Sequence, residues 1–376
     1  MKTRSPLLAL TLLALALAGC SKEDGDATTY AEMGFDGETW PDLHGAKVTI
    51  LGPDFTYLFD AAKPLFEQLT NGTVEFVDGG DSGDVLQKAI AQKENPSFDV
   101  VFGIDNALLG KAVAGGAFQP YTPVLAHRLD PRLVFFDASQ PWPATPVDHG
   151  YIAVNIDPRA NHTIEDFYDL REHADLFVTE NPRHSTPGLG FLLATIATFG
   201  ENTNLYDWKD YWNDLLDHGG FLVVDGWTDA YANHFSGGYG QTIEGSLLDR
   251  PIVTSYTTSP AYEASGGGTY NSVLIAPEST FHQIETMAIA ANARELAAAQ
   301  AWVEFTLTDS YQDLIAANWV VYPAVPGAES ESVFLGLDPP PGSFVDTGFD
   351  YPTLEANVER WVGEWEDLYQ AHQAQG

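Results

Sequence analysis

A single cysteine, Cys20, in 376 residues removes whole classes of chemistry. No disulfide can form within the chain, and no cysteine nucleophile or thiolate metal ligand remains once Cys20 is assigned to a leader. HExxH, CxxC and GxSxG are all absent, and the ten histidines are scattered without ligand spacing. Neither a metal site nor a nucleophile–base pair is therefore expected. Basic residues are scarce too: 17 Lys and Arg stand against 53 Asp and Glu, a formal net charge of -36. Nucleic acid and anionic lipid surfaces would be repelled. The acidity reads first as a solubility device and second as an aid to capturing a cationic ligand, an effect that salt screens beyond ~10 Å. After the first twenty residues, no apolar run is long enough to span a bilayer.

What is present begins with that leader. Lys2 and Arg4 precede an apolar run from Leu7 to Leu17, too short for a permanent span, so residues 1–19 read as a signal peptide. The run ends in Leu17-Ala18-Gly19-Cys20, which resembles the lipobox of bacterial lipoproteins, and Ser21-Lys22-Glu23-Asp24 turns polar at once. Cys20 is thus the expected lipidation site, an ordinary signal peptide with a chance cysteine being the alternative. Residues 20–44, acidic and rich in Gly, Asp and Thr, read as a flexible tether from a lipid anchor.

From Lys47 onward, short apolar runs alternate with helical patterns. Strands are predicted at 47–51, 73–77 and 98–103, with helices at 61–69, 84–92 and 107–114 between and after them. Such alternation argues for parallel α/β packing. The Pro-rich patch Pro141, Pro143, Pro146 leads into an extended segment at 151–155, read as a first crossing between two lobes. Further strands are predicted at 176–179, 221–224 and 252–255, and helices at 187–199, 206–216 and 227–235. A return strand at 282–288 precedes closing helices at 291–305, 310–316 and 354–371. Trp361 and Trp365 share a face of the last helix and read as core. The lobes expected on this reading are 45–147 plus 283–376, and 148–282.

Several stretches could carry chemistry. Ser255 to Tyr262 (SYTTSPAY) packs two rings and four hydroxyl positions directly after a strand, and Tyr256, Ser259 and Tyr262 form a candidate ligand cradle. Asp105 and Asn106 follow the strand ending at Gly103, where ligands gather in open α/β sheets; the plainer reading is a helix cap. In Asn181 to Gly190 (NPRHSTPGLG), Ser185 or Thr186 is placed to cap a helix whose N-terminus could hold an anion, with help from Arg183. Gly226-Trp227 after a strand, and Trp319 after a helix end, offer stacking platforms; for both, core packing is the alternative. Aromatic faces of this kind suit a flat heterocycle or a delocalised cation.

Taken in order, DVVFGIDNALL (99–109), DHGY (148–151), PRHSTPGLG (182–190), Gly226-Trp227, SYTTSPAY (255–262), and Asn318-Trp319 with Tyr322-Pro323 make the chain resemble the thiamine-binding periplasmic proteins of bacterial ABC importers, over roughly residues 45–325. The resemblance implies the type II periplasmic binding protein fold, α/β and two-lobed, with a ligand cleft between lobes. It implies thiamine, and thiamine phosphate, as ligand and an ABC transporter permease as partner. It implies no cofactor, no enzymatic activity, a monomer, and a periplasmic or cell-surface place held by the lipid on Cys20. Asp105 and Asn106 match the polar pair of the first lobe, and Trp227, Tyr256, Ser259, Tyr262 and Trp319 match positions at the cleft. The segment 52–60 departs from the family's Tyr- and Trp-containing pattern, with Tyr57 or Phe55 as candidate substitutes. Ser236 to Ser246 is Gly-rich and longer than in the family.

Two competing functions remain at this point. A thiaminase, related by fold, needs a cleft cysteine, and the sole cysteine is at the anchor. A binding protein for a thiamine precursor, a polyamine or ferric ion keeps the role and changes the ligand. Iron-binding relatives use adjacent tyrosines, whereas Tyr256 and Tyr262 are six apart, and polyamines need several carboxylates where Asp105 is the chief candidate.

Overall fold

The computed structural model describes residues 28–53, 57–201, 205–239, 243–265, 271–328, 334, 337–340, 342–345 and 349–374. The leader and Cys20 lie outside them. The chain runs β1 (Lys47–Gly52), α1 (Tyr57–Thr70), β2 (Thr73–Asp78), α2 (Ser82–Ala91), β3 (Val100–Asp105), α3 (Leu109–Ala114), β4 (Phe118–Gln119) and β5 (Thr145–Ile156). It continues through α4 (Phe167–Glu172), β6 (Phe177–Glu180), α5 (Thr186–Phe199), α6 (Trp208–Asp217), β7 (Leu222–Val224), β8 (Ile252–Tyr256), α7 (Ser259–Ser265) and β9 (Ser272–Val273). Last come β10 (Phe281–Ala290), α8 (Leu296–Phe305), α9 (Asp309–Trp319), β11 (Tyr322–Pro323) and α10 (Tyr351–Gln373).

The strand order β2-β1-β3-β10-β5-β8-β6-β7 explains two lobes. β1 pairs in parallel with β2 and β3, and β6 with β7 and β8, as the strand–helix alternation predicts. Between these halves run the two longest strands, β5 and β10, antiparallel to each other and to their outer neighbours. The expected lobe boundaries fall within β5 and β10. Register breaks on β10 on either side of Thr286, one against β5 and one against β3. Such bulges bend a strand and re-aim its side chains, and Glu285 sits beside them.

Local expectations shift where tertiary contacts intervene. β3 does not end at Gly103 but continues through it at φ +86 to Asp105; a Cβ there would come within 2.6 Å of Pro53. The helix expected at 227–235 begins at Trp227 and widens to a π-type turn over Asp229–His234, closed by Phe235 N–H donating to the Ala230 carbonyl. β10 runs on to Ala290 and α8 begins only at Leu296, because residues 99 and 117 pair with the end of β10. The stretch 28–44, expected as a tether, instead packs: Tyr30 is fully buried, stacks on Phe35 at 5.0 Å, and donates its N–H to Gln300 Oε1. Apolar burial outweighs acidic composition there.

α10 closes the molecule. It packs against α3 of one half and α6 of the other. Trp361 and Trp365 are both buried, the latter edge-on to Trp212 at 5.5 Å.

Candidate functional site

The apposed strand and helix ends of the two halves enclose a cleft of about 810 Å³, its open mouth included. One wall carries Pro53 after β1, Asp81 and Ser82 at the start of α2, Glu285 of β10, and Trp319 at the end of α9. The other carries Ser185 and Thr186 at the start of α5, Trp227 and Tyr231 after β7, Tyr256 at the end of β8, and Ser259 and Tyr262 of α7.

The rings are held by specific contacts. Trp227 stacks on Tyr231 at 4.9 Å and 15°. Its Nε1–H donates to Ser255 Oγ at 3.0 Å, and Ser255 Oγ bonds Ser259 Oγ at 3.1 Å, so the SYTTSPAY hydroxyls serve partly to aim the indole. Its backbone N–H donates across the cleft to Asp81 Oδ2 at 2.9 Å. Trp319 packs on Phe102 and donates its Nε1–H to Glu285 Oε2 at 2.7 Å. Val320 follows with φ 64, and its carbonyl accepts from Thr258 Oγ1 of the opposite half at 2.6 Å. Tyr256 is reached through Gly150, where a Cβ would stand 3.1 Å from its ring.

Of the sequence candidates, Trp227, Tyr256, Ser259, Tyr262, Trp319 and Ser185 line this cleft. Gly226 does not line it but a neighbouring depression with Asp84 and Asp225, and a Cβ there would stand 3.5 Å from Asp81 Oδ2. Asp105, Asn106 and Tyr57 are elsewhere. Asp105 is fully buried; its Oδ1 accepts from the N–H groups of Ala107 and Leu108, and its Oδ2 from Thr186 Oγ1 across the lobe interface. Asp105 thus closes the turn before α3 and bonds α5, whereas the helix cap expected of it is not formed: the N-cap of α3 is Leu108, with no side-chain bond. Burial pushes its carboxyl up to about 6 against these bonds. Asn106 clamps β10, donating to the His282 carbonyl and accepting from Ile284 N–H. Tyr57 is 65% exposed on α1. Arg183 turns away from the cleft, its guanidinium bonded to Glu366 and Glu359 of α10.

Ser185 is 2% exposed and its Oγ has no partner among the described residues. Its carbonyl accepts from Leu189 N–H of α5, but its side chain makes no capping bond to the helix. Gly188 behind it is pressed against β6, its Cβ position only 2.2 Å from the Glu180 carbonyl, so the glycine permits close helix–strand approach.

Sequence reading missed the acidic members. Asp81, Glu263 and Glu285 line the cleft, and no Lys, Arg or His does among the described residues. Burial raises the carboxyl of Glu263, and pushes that of Glu285 to about 7. Tyr231 and Tyr239 were also missed. A signal for Glu285 existed: it is an acidic residue inside a predicted strand, and both it and Gln283 are buried there. Chemically the cleft offers stacked rings, hydroxyls and carboxyl groups, which suits a flat, positively charged heterocycle.

No protein-family model matches the chain. The thiamine-binding periplasmic protein of Brucella abortus is 26% identical over 309 residues, covering 81% of this chain and 85% of its own length. That of Escherichia coli is 27% identical over 311 residues, covering 81% and 86%. Among solved structures, a periplasmic thiamin binding protein superposes with a TM-score of 0.71 at 24% identity, covering 86% of this chain and 96% of its own. Iron-bound HitA from Pseudomonas aeruginosa superposes with a TM-score of 0.65 at 14% identity, covering 85% and 99%. The chain is thus similar in sequence to the thiamine-binding periplasmic proteins and has the two-lobed type II periplasmic binding protein fold.

Proposed function

We propose that this protein is a solute-binding receptor of an ABC-type importer, working outside the cytoplasmic membrane, that takes thiamine between its lobes and delivers it to a permease. The observation that carries this reading is the cleft lining: Trp227, Tyr231, Tyr256, Tyr262 and Trp319 surround three carboxyl groups, and no Lys, Arg or His joins them among the described residues. Thiamine is an aminopyrimidine joined to a thiazolium cation. Its rings stack on aromatic faces, and its charge balances the carboxylates of Asp81, Glu263 and Glu285. The curated relatives bear the same ligand in their names.

A phosphorylated form is accommodated by Ser185. Its Oγ and the first turn of α5, which no side chain caps, provide donors for an anion at the cleft wall, as helix N-termini do generally. The role is binding without catalysis: thiaminase chemistry needs a cysteine nucleophile, and Cys20 is the only cysteine. Lipidation of Cys20 would tether the mature chain to a membrane, and mass spectrometry of its N-terminus tests that.

The deciding experiment is calorimetric titration of the soluble protein from Ser21 onward, unfolded and refolded to strip carried-over ligand, with thiamine, thiamine monophosphate and thiamine pyrophosphate. Tight one-to-one binding supports the reading. A folded protein that binds none of them refutes it. Ser185→Ala is expected to weaken the phosphorylated ligands by roughly tenfold while thiamine itself changes little.

A further inference from the structure

β5 and β10 cross between the lobes in antiparallel register with Asp148 directly opposite Glu285. Residues opposed in this way project to the same side of the sheet, so two carboxyl groups meet. Both are buried, Asp148 completely. Neither oxygen of Asp148 finds a donor among the described residues, while Glu285 accepts the indole N–H of Trp319 and lines the cleft. A buried carboxylate with no donor does not persist as an anion; it holds a proton. That proton belongs to Asp148, whose acidic neighbour opposite is the carboxylate that Trp319 already stabilises. The pair is then an acid donating inward to a carboxylate that faces the ligand.

Among the described residues, the groups around Glu285 add no positive charge. Asp105 stands opposite it on β3, Tyr256 approaches from β8, and Tyr311 and Trp319 approach from α9. Burial disfavours its charge, and Asp105 repels it further. Before a ligand enters, Glu285 is therefore only part-ionised near neutral pH, its carboxyl standing at about 7, and Asp148 is held well above the ordinary carboxyl range by burial and by Glu285.

We infer that Glu285, backed by Asp148, is the charge-accepting group for the cationic part of the ligand, and that cation entry expels a proton from Glu285 to solvent. This rests on the thiamine reading above. The balance is simple: protonated Glu285 gives up its proton, Asp148 keeps its own, and the ligand's positive charge replaces the proton lost. The linkage has one sign. A bound cation lowers the Glu285 pKa below its free value, so binding is strongest above that value and weakens as pH falls through it. The arrangement makes the cleft selective for a cation over a neutral heterocycle, and more so at higher pH.

The test is titration of the stripped wild-type protein with thiamine at about pH 6 and about pH 8, in buffers of different ionisation enthalpy, so that protons are counted. Release of most of one proton at the lower pH and little at the higher, with affinity about tenfold weaker at the lower, is expected. Binding that is tight, independent of pH and free of proton release overturns the inference and leaves the thiamine reading intact; no binding at either pH overturns both. Glu285→Gln should abolish the release and weaken thiamine more than the neutral 4-aminopyrimidine alcohol that lacks the thiazolium. Asp148→Ala, which removes the backing donor, should move the pH midpoint upward, a change that a merely structural role does not produce. Wild-type proton release retained in Glu285→Gln would overturn the assignment, because the ligand's own titration would then account for it.

Discussion

Gly150 lacks a side chain for a reason that Tyr256 and Val321 supply: a Cβ there would approach both within 3.1 Å. The glycine lets a cleft tyrosine lie flat over β5, an arrangement that no other residue type allows without shifting the ring. If thiamine is the ligand, the aromatic walls carry much of its binding energy. Trp227→Ala and Tyr262→Ala are each expected to weaken thiamine roughly tenfold, with unfolding transitions near that of the wild type. Wild-type affinity in the folded double variant would disqualify these two rings. Asp105 behaves differently, because its oxygens are already used by Ala107, Leu108 and Thr186. Asp105→Asn should reduce thiamine and its neutral pyrimidine half alike, since the loss acts through the position of α5. Its pH effect has a definite sign. With its carboxyl pushed up to about 6 in the folded protein, Asp105 binds a proton more tightly when folded, so its contribution to stability falls as pH rises from the ordinary carboxyl range toward 6. Melting curves of Asp105→Asn should lack that part of the decline.

Among the elements, several cleft residues sit at element ends, while Glu285 stands in the middle of β10. α5 and α7 begin at the cleft, α9 stops there, and β8 delivers Tyr256 as its last residue. Strand and helix ends are where backbone groups are free and side chains converge. α10 plays a different part. Trp365, packed on Trp212 and stacked on Tyr369 at 5.0 Å, fixes it to α6, and Lys111–Glu359 and Arg183–Glu366 bind it to both halves. Trp365→Ala should cost about 3–5 kcal/mol of stability by leaving a large cavity. Denaturant unfolding measures it, and a cost under about 1 kcal/mol would mean that the helix is only loosely docked.

For the molecule in its entirety, two terms decide how a ligand arrives and stays. A formal net charge of -36 draws cations in, and the field fades with salt. Stopped-flow association of thiamine should slow severalfold between about 20 and about 500 mM salt, while that of the neutral pyrimidine stays nearly constant. Equal salt dependence for both would rule out steering. Retention depends on the lobes meeting. Trp227 N–H to Asp81, Thr258 to Val320 and Gly83 N–H to the His184 carbonyl all join the two halves around the cleft. A ligand that touches both walls favours this closed arrangement by its differential affinity for it.

Whatever depends on neighbours along the chain was legible in the amino-acid order. Alternation of apolar runs and helical periods located most strands and helices, because side-chain periodicity is local. Trp227, Tyr256, Tyr262 and Trp319 stood out because rings beside turn signals at element ends are conspicuous, and one cysteine is plain from counting. The acidic side of the cleft emerged only when the chain was folded. Asp81, Glu263 and Glu285 come from three distant segments; Glu285 is marked locally only by its place inside a strand, and nothing local separates Asp81 and Glu263 from the other acidic residues of a chain that has 53. Folding also settled the fate of Asp105, claimed by its own turn and by Thr186, and the packing of residues 28–44 that composition alone marked as a tether. The pairing of Asp148 with Glu285 is of the same kind. It is set by the register of β5 against β10, and a strand register is a contact between remote parts of the chain.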